Sequence, residues 1–263
     1  MSMADQVLLD FDGAVAIVIN NRPEKHNAFT DSSDLELFDA FASLEGRSDV
    51  RAIVWRGNGK SFSSGRDVES LGGANRTEDI SQLELMERGH RFAKTVLNMS
   101  APVIVEMKGW AIGGSFERAL LCDMRIAGES ARMMLPEVKH GVIPDTGGMA
   151  RLFHMAGHGL ASDLALTGRV MGAAEALQHG VVSRVVPDDQ LERTTLEIAH
   201  EIANAPAFTV KMARRIVKHL ANEIVAASMD EEAIAQTLVF GSHDYNEMKA
   251  ARAEQREPKY RRH

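Results

Sequence analysis

Short apolar runs alternate with stretches of helical period along the first half of this chain. Val15-Ala16-Ile17-Val18-Ile19 is a β-branched run and predicts a buried strand. Asn21-Arg22-Pro23-Glu24-Lys25-His26-Asn27 predicts a loop. Between Asp34 and Leu44, Leu35, Phe38, Phe41 and Ala42 recur at helical spacing. Val50 to Trp55 predicts a second strand, Gly57-Asn58-Gly59-Lys60 a turn and Ser61 to Gly73 a loop. A helix is expected over 79–97. Pro102-Val103-Ile104-Val105-Glu106 predicts a third strand, closed by Lys108-Gly109. Gly113-Gly114 then opens an apolar helix through Leu121, and Met124-Arg125-Ile126-Ala127 returns as a strand. The repeated order of strand, loop, helix and strand gives an α/β core.

From about Leu191 onward the period is helical throughout. Ala213, Ile216, Val217 and Leu220 share one face, while Lys211, Arg214, Arg215 and Lys218 form a basic side. That basic side reads first as a solvated surface, and otherwise as a phosphate contact or a subunit interface. The tail, Met248 to His263, is charged, and one expectation is that it orders against a neighbouring subunit.

Composition narrows the class. The 263 residues permit one large domain, or one with an appendage. With 30 Lys and Arg against 37 Asp and Glu, the formal net charge is −7, which argues against a nucleic-acid partner. Cys122 is the single cysteine, so no intrachain disulfide forms, and a reducing, cytoplasmic interior is expected. Flanked by Leu120, Leu121 and Met124, it reads as a small buried hydrophobe. No run approaches the ~18 apolar residues of a membrane span, and residues 1–12 do not read as a signal peptide. Gly59-Lys60-Ser61 is no phosphate loop, because Val54 stands where that motif needs a glycine. His140 and His154 have no zinc-ligand spacing, so no metal is expected.

The candidate chemistry lies at Gly113-Gly114. A strand enters, two glycines turn, and a helix begins with unpaired N–H groups at the positive end of its dipole. Glycine lets a ligand approach the backbone, so a developing oxyanion fits there. Glu117, three residues after Gly114, falls on the same helical face. Lys60 to Val68 forms a second small-residue loop after a strand, able to supply another N–H donor.

Several segments in order resemble the crotonase superfamily, the enoyl-CoA hydratases and isomerases, over nearly the whole chain. They are Asn21 to Ala28, Phe62-Ser63-Ser64-Gly65-Arg66-Asp67, Pro102 through Asp123, and Pro136-Glu137 with Gly141 to Gly148 and Arg151-Leu152. Leu166-Thr167-Gly168-Arg169, Glu175-Ala176 and Gly180 to Pro187 complete the match. The resemblance implies a crotonase-like spiral of repeated ββα units over 1–195. It implies a C-terminal helical region over 196–263 that builds trimers, often dimers of trimers. It implies an acyl-CoA substrate, with coenzyme A as part of that substrate and no separate cofactor. Ser64 and Gly114 then occupy the oxyanion positions, and Glu117 and Glu137 the two acid/base positions. Lys25, Ala28, Ser64, Gly65, Arg66, Asp67, Val68 and Gly113 fall in segments that contact the coenzyme.

Three departures bear on the activity. Ser115-Phe116 replaces a glycine and a small residue, and Phe116 is expected to reshape the acyl pocket. Arg118 follows Glu117 where an apolar residue is usual; it reads as half of a salt bridge at a subunit or domain contact, or as a charge lowering a carboxylate pKa. Asp145 stands where some isomerases of the superfamily carry an acid, and reads either as catalytic or as a turn residue before a helix. The leading expectation is syn hydration of a trans-2-enoyl-CoA. The alternatives are a double-bond isomerase using Glu137 and Asp145, and a non-catalytic acyl-CoA-binding subunit.

Overall fold

The computed structural model describes residues 5–67 and 82–261. Its main sheet has six strands in the order β1-β2-β3-β4-β6-β9. These are β1 (Val7–Asp12), β2 (Val15–Asn20), β3 (Ala52–Gly57), β4 (Val103–Met107), β6 (Met124–Gly128) and β9 (Arg184–Val186). Every pairing from β2 onward is parallel, and β1 is antiparallel at the edge. A second sheet joins β5 (Trp110–Ile112), β7 (Arg132–Met134) and β8 (Met171–Gly172).

The central strands are buried on both faces, which is why they read as unbroken apolar runs. One face carries the main core, including Trp55, Phe41, Phe62 and Phe92, whose rings meet edge to face. The other holds a smaller core with Val15, Ile104 and Ile126, covered by α6 (Leu191–Asn204). Strand β1 escapes the periodic reading because four of its six residues are exposed.

The expected helices are present with shifted ends. The first, α1 (Asp31–Leu44), starts earlier because Thr30 and Ser33 form a reciprocal capping box. Helix α2 spans Gln82–Asn98; residues 79–81 lie outside the described residues. Helix α3 (Gly114–Leu121) follows β5 directly, and its last carbonyls receive the buried Arg125 guanidinium. Helix α4 (Gly148–Thr167) contains a break at Gly157, where φ is 79°. Then come α5 (Ala173–Gln178), α6, the 34-residue α7 (Ala207–Phe240) and α8 (His243–Ala253).

On α7, Lys211 and Arg215 are exposed as a solvated face would be, but Arg214 and Lys218 turn inward. Arg214 pairs with Asp123 at 2.8 Å and also donates to the Met99 carbonyl. The Lys218 Nζ donates to the Leu97 carbonyl at 2.5 Å and the Val96 carbonyl at 3.2 Å. These cations satisfy carbonyls at the end of α2, which carries the negative pole of its dipole. Ile216, Val217 and Leu220 are left 63–69% exposed. The tail folds back within the chain: Arg256 pairs with Glu247 at 2.5 Å, and the Lys259 N–H donates to the same carboxylate at 2.7 Å. Among the described residues no helix is long and apolar enough to cross a membrane.

Candidate active site

The Gly113–Gly114 turn joins β5 to α3, and Gly113 adopts φ 58°, a conformation glycine takes without a side-chain clash. A Cβ on Gly113 would lie 2.5 Å from Glu137 Oε1, so the Glu137 carboxyl packs directly on this turn. Glu137 itself begins a short 3₁₀ helix, Glu137–His140, and among the described residues its buried Oε2 has no hydrogen-bond partner. The N–H of Gly114 is among the first in α3, which intrahelical bonding leaves unpaired. Among the described residues nothing lies within 4 Å of where a Gly114 Cβ would stand.

Glu117 reaches the same region from the first turn of α3. Its carboxylate accepts N–H bonds from Asp145 and Thr146 at 3.3 Å and from Gly148 at 3.2 Å. Those amides lead into α4, so Glu117 caps the positive end of that helix. Asp145 enters on this loop, near enough for its charge to raise both Glu117 and Glu137. The structure therefore brings Glu117, Glu137 and Asp145 together at one glycine turn.

Crowding and burial set their protonation. Burial, then the Glu137, Asp145 and Glu232 carboxyls, push Glu117 well above the usual carboxylate range. Burial raises Glu137 to about 7, with Asp145 adding to the shift. Asp145 is likewise raised to about 7, by burial and then by Glu232, against the lowering effect of Arg118. Carboxyls balanced near neutrality can both take and give a proton.

Three participants carry no sequence motif. Glu232, buried on α7, accepts the Gly147 N–H at 2.8 Å and the Ser228 hydroxyl at 2.7 Å. His90 on α2 donates from Nε2 to the Asp145 carbonyl at 2.7 Å, which fixes that nitrogen as the protonated one. Gln236 accepts the Ile143 N–H at 2.9 Å. Together they hold the loop whose amides hold Glu117. A buried Glu and Gln four residues apart on one face of a long helix, Glu232 and Gln236, was the one available signal.

The other predicted positions are placed as follows. The N–H of Ser64 donates to the His26 carbonyl at 2.9 Å, and its hydroxyl to the Lys25 carbonyl at 3.2 Å. Lys25 is exposed, Ala28 is buried, and Gly65, at φ 83°, packs on the Ile112 carbonyl. Arg66 binds Asp34 at 2.9 Å and Asp31, while the buried Asp67 pairs with Arg22 at 3.1 Å. Val68 lies outside the described residues. Phe116 is fully buried in the main core. Arg118 forms its salt bridge inside the chain, to Asp34 on α1 at 2.6 Å. The Cys122 thiol is buried and pushed up to about 12, as an inert core thiol would be.

Comparison with known proteins agrees with this geometry. The sequence profile of the family described as Enoyl-CoA hydratase/isomerase matches residues 10–263. The chain belongs to that family. It is 32% identical to a probable enoyl-CoA hydratase of Mycobacterium tuberculosis over 256 residues, covering 97% of this chain and 98% of the relative. It is 34% identical to a short-chain-enoyl-CoA hydratase of Clostridium acetobutylicum over 214 residues, 81% of each chain. A solved enoyl-CoA hydratase/isomerase from Pseudoalteromonas atlantica T6c superposes with a TM-score of 0.88 at 29% identity, covering 97% of this chain and all of the other. The fold is the crotonase fold, with the parallel sheet and its helices as described.

Proposed function

We propose that this chain is an enoyl-CoA hydratase that adds water reversibly to a trans-2-enoyl-CoA to give a 3-hydroxyacyl-CoA. The observation that carries the reading is the convergence of the Glu117 and Glu137 carboxyls on the Gly113–Gly114 turn. The thioester oxygen takes the Gly114 N–H; the Ser64 N–H, expected as the second donor, is held by the His26 carbonyl at 2.9 Å. That donor stabilises the enolate-like oxygen as charge develops, worth about 2.7–4 kcal/mol in the transition state. Glu117, in the ionised form that the three amide N–H bonds support, takes a proton from water attacking the β-carbon. Glu137, with Oε2 free and its carboxyl near neutrality, delivers the proton at the α-carbon.

A second reading is favoured by one observation, the buried Asp145 carboxyl raised to about 7 beside Glu137. In a double-bond isomerase these two would move one proton along the acyl chain. Two incubations separate the readings, one with short and medium trans-2-enoyl-CoA, the other with a 3-enoyl-CoA. Gain of one water identifies the hydratase, and a shifted double bond at constant mass the isomerase. Binding without turnover would refute both.

Turnover is expected in EDTA without added cofactor. The exposed apolar side of α7, with Phe208, Ile216, Val217, Leu220 and Leu238, supports self-association of the 196–263 region into a trimer or a dimer of trimers. Light scattering that finds only monomer would refute that assembly.

A further inference from the structure

We infer that the acyl group accepted by this chain ends in a carboxylate, which a donor-rich cavity beside Glu137 receives; this rests on the hydratase reading. A cavity of about 280 Å³ lies between the 3₁₀ helix Glu137–His140 and α8, with Lys139, His140, Met248, Ala251 and Arg252 in its wall. Whole small-molecule sites occupy about 300–1,000 Å³, so this one suits the end of a chain better than an entire ligand. Met248 closes α8 onto the end of the 3₁₀ helix: its Cβ is 3.4 Å from where a Gly141 Cβ would stand.

The 3₁₀ helix ties the cavity to the glutamates. In such a helix side chains three residues apart stand one above the other, and each residue rises about 2 Å. His140 therefore projects on the same side as Glu137, about 6 Å further along. Glu137 meets the α-carbon in the proposed hydration. An acyl chain that follows this face reaches His140 within a few methylenes, passing the apolar Met248 and Ala251.

The polar groups at that end are mostly donors. Arg252 Nη2 donates to His140 Nδ1 at 3.2 Å, which leaves the ring proton on Nε2, without a partner among the described residues. Burial, then the Arg252 and Lys139 cations, hold His140 below the usual imidazole range, so the ring is neutral in positive surroundings. Lys139 Nζ donates to the Gly168 carbonyl at 2.8 Å. Among the described residues neither Arg252 nor Lys139 has a carboxylate in a salt bridge, whereas Arg256, also in the wall, is already paired with Glu247 and Glu254. Glu257 borders the cavity as well but pairs with neither free cation. A carboxylate is an acceptor at both oxygens and matches the fork of a guanidinium. A methyl end would gain nothing from these donors.

Hydration of trans-2-hexenoyl-CoA, compared with that of the six-carbon trans-2-enoyl-CoA bearing a carboxylate on its last carbon, tests this. In the wild-type protein kcat/KM for the carboxylated substrate is higher by about 10-fold or more, the factor that one hydrogen bond to a charged group supplies. Arg252→Met lowers this ratio by about 10-fold, and Arg252→Lys, which keeps the charge, restores part of it. His140→Leu also lowers it, and decides the matter if Arg252→Met does not fold. A wild-type ratio below about threefold, with hexenoyl-CoA hydrated, overturns the inference alone. So does an unchanged ratio in folded Arg252→Met, or in His140→Leu where that variant must decide. No hydration of either substrate overturns the hydratase reading, and this inference with it.

Discussion

Replacing Gly148 with alanine would drive a methyl group into space that Glu117 already fills. The new Cβ would stand 2.4 Å from Glu117 Cβ, 2.5 Å from its Cγ and 2.6 Å from its Cα. Carbon atoms settle at about 3.5–4.0 Å, so the segments must separate by about 1 Å. A rotamer change cannot relieve a contact with Cα, so the backbone has to move. The three amide bonds to Glu117 are already 3.2–3.3 Å long, and that displacement breaks them. Overpacking of this kind costs about 1–3 kcal/mol, a fall in Tm of roughly 2–10 °C at this chain length. A misplacement of about 1 Å at a catalytic group costs about 100-fold in rate. The assay is hydration of a trans-2-enoyl-CoA, with a thermal melt on the same preparation. Gly159→Ala, on the exposed side of α4 with nothing within 4 Å, is the control and should leave the rate unchanged. A Gly148→Ala protein with a rate within about threefold of wild type and an unmoved Tm would refute the claim that this contact seats Glu117.

Other expectations follow from the same geometry. Glu137→Gln should lower hydration by about 100-fold or more with the fold intact, as circular dichroism would confirm, and near-normal turnover would sink the mechanism. Glu137 and Asp145 are raised to about 7 when folded, so the folded chain holds protons that the unfolded chain has released. Their contribution to stability is fully present below their ordinary range near pH 4 and is lost as pH rises to about 7. Melts of Glu137→Gln should therefore gain on wild type between pH 5 and pH 8, and parallel curves would contradict the assignment. Glu232→Gln keeps an oxygen for the Gly147 N–H but removes a like charge from Glu117 and Asp145. Both then ionise at lower pH, so the limbs of the pH–rate profile that they govern should move acidward. An unmoved or alkaline-shifted profile would count against that coupling.

Much of the scaffold was legible because its signals are local. The strands at 15–19 and 102–106 are nearly continuous apolar runs, which is what a sheet covered on both faces requires. Strand β1 was hidden because an exposed edge strand needs no apolar period. On α7 two of the four basic residues, Lys211 and Arg215, are solvated, while Arg214 and Lys218 face inward. Carbonyls at the end of α2 decided that orientation, by drawing Arg214 and Lys218 to them. Arg118 could be read as one half of a salt bridge, but its partner on α1 is 84 residues away and has no signal in its own neighbourhood.

The sequence by itself determined the elements, the glycine turn and the attachment of Glu117 to that turn, because three residues along a helix is a fixed geometric step. It also determined the family, through many short segments in one order. Only the tertiary structure decided that Glu137 packs on Gly113 and that Glu232 and His90 hold the loop bearing Asp145. It alone placed Asp34 across two turns from separate segments. These contacts join residues from elements far apart in the chain, and packing of the whole core chooses their neighbours.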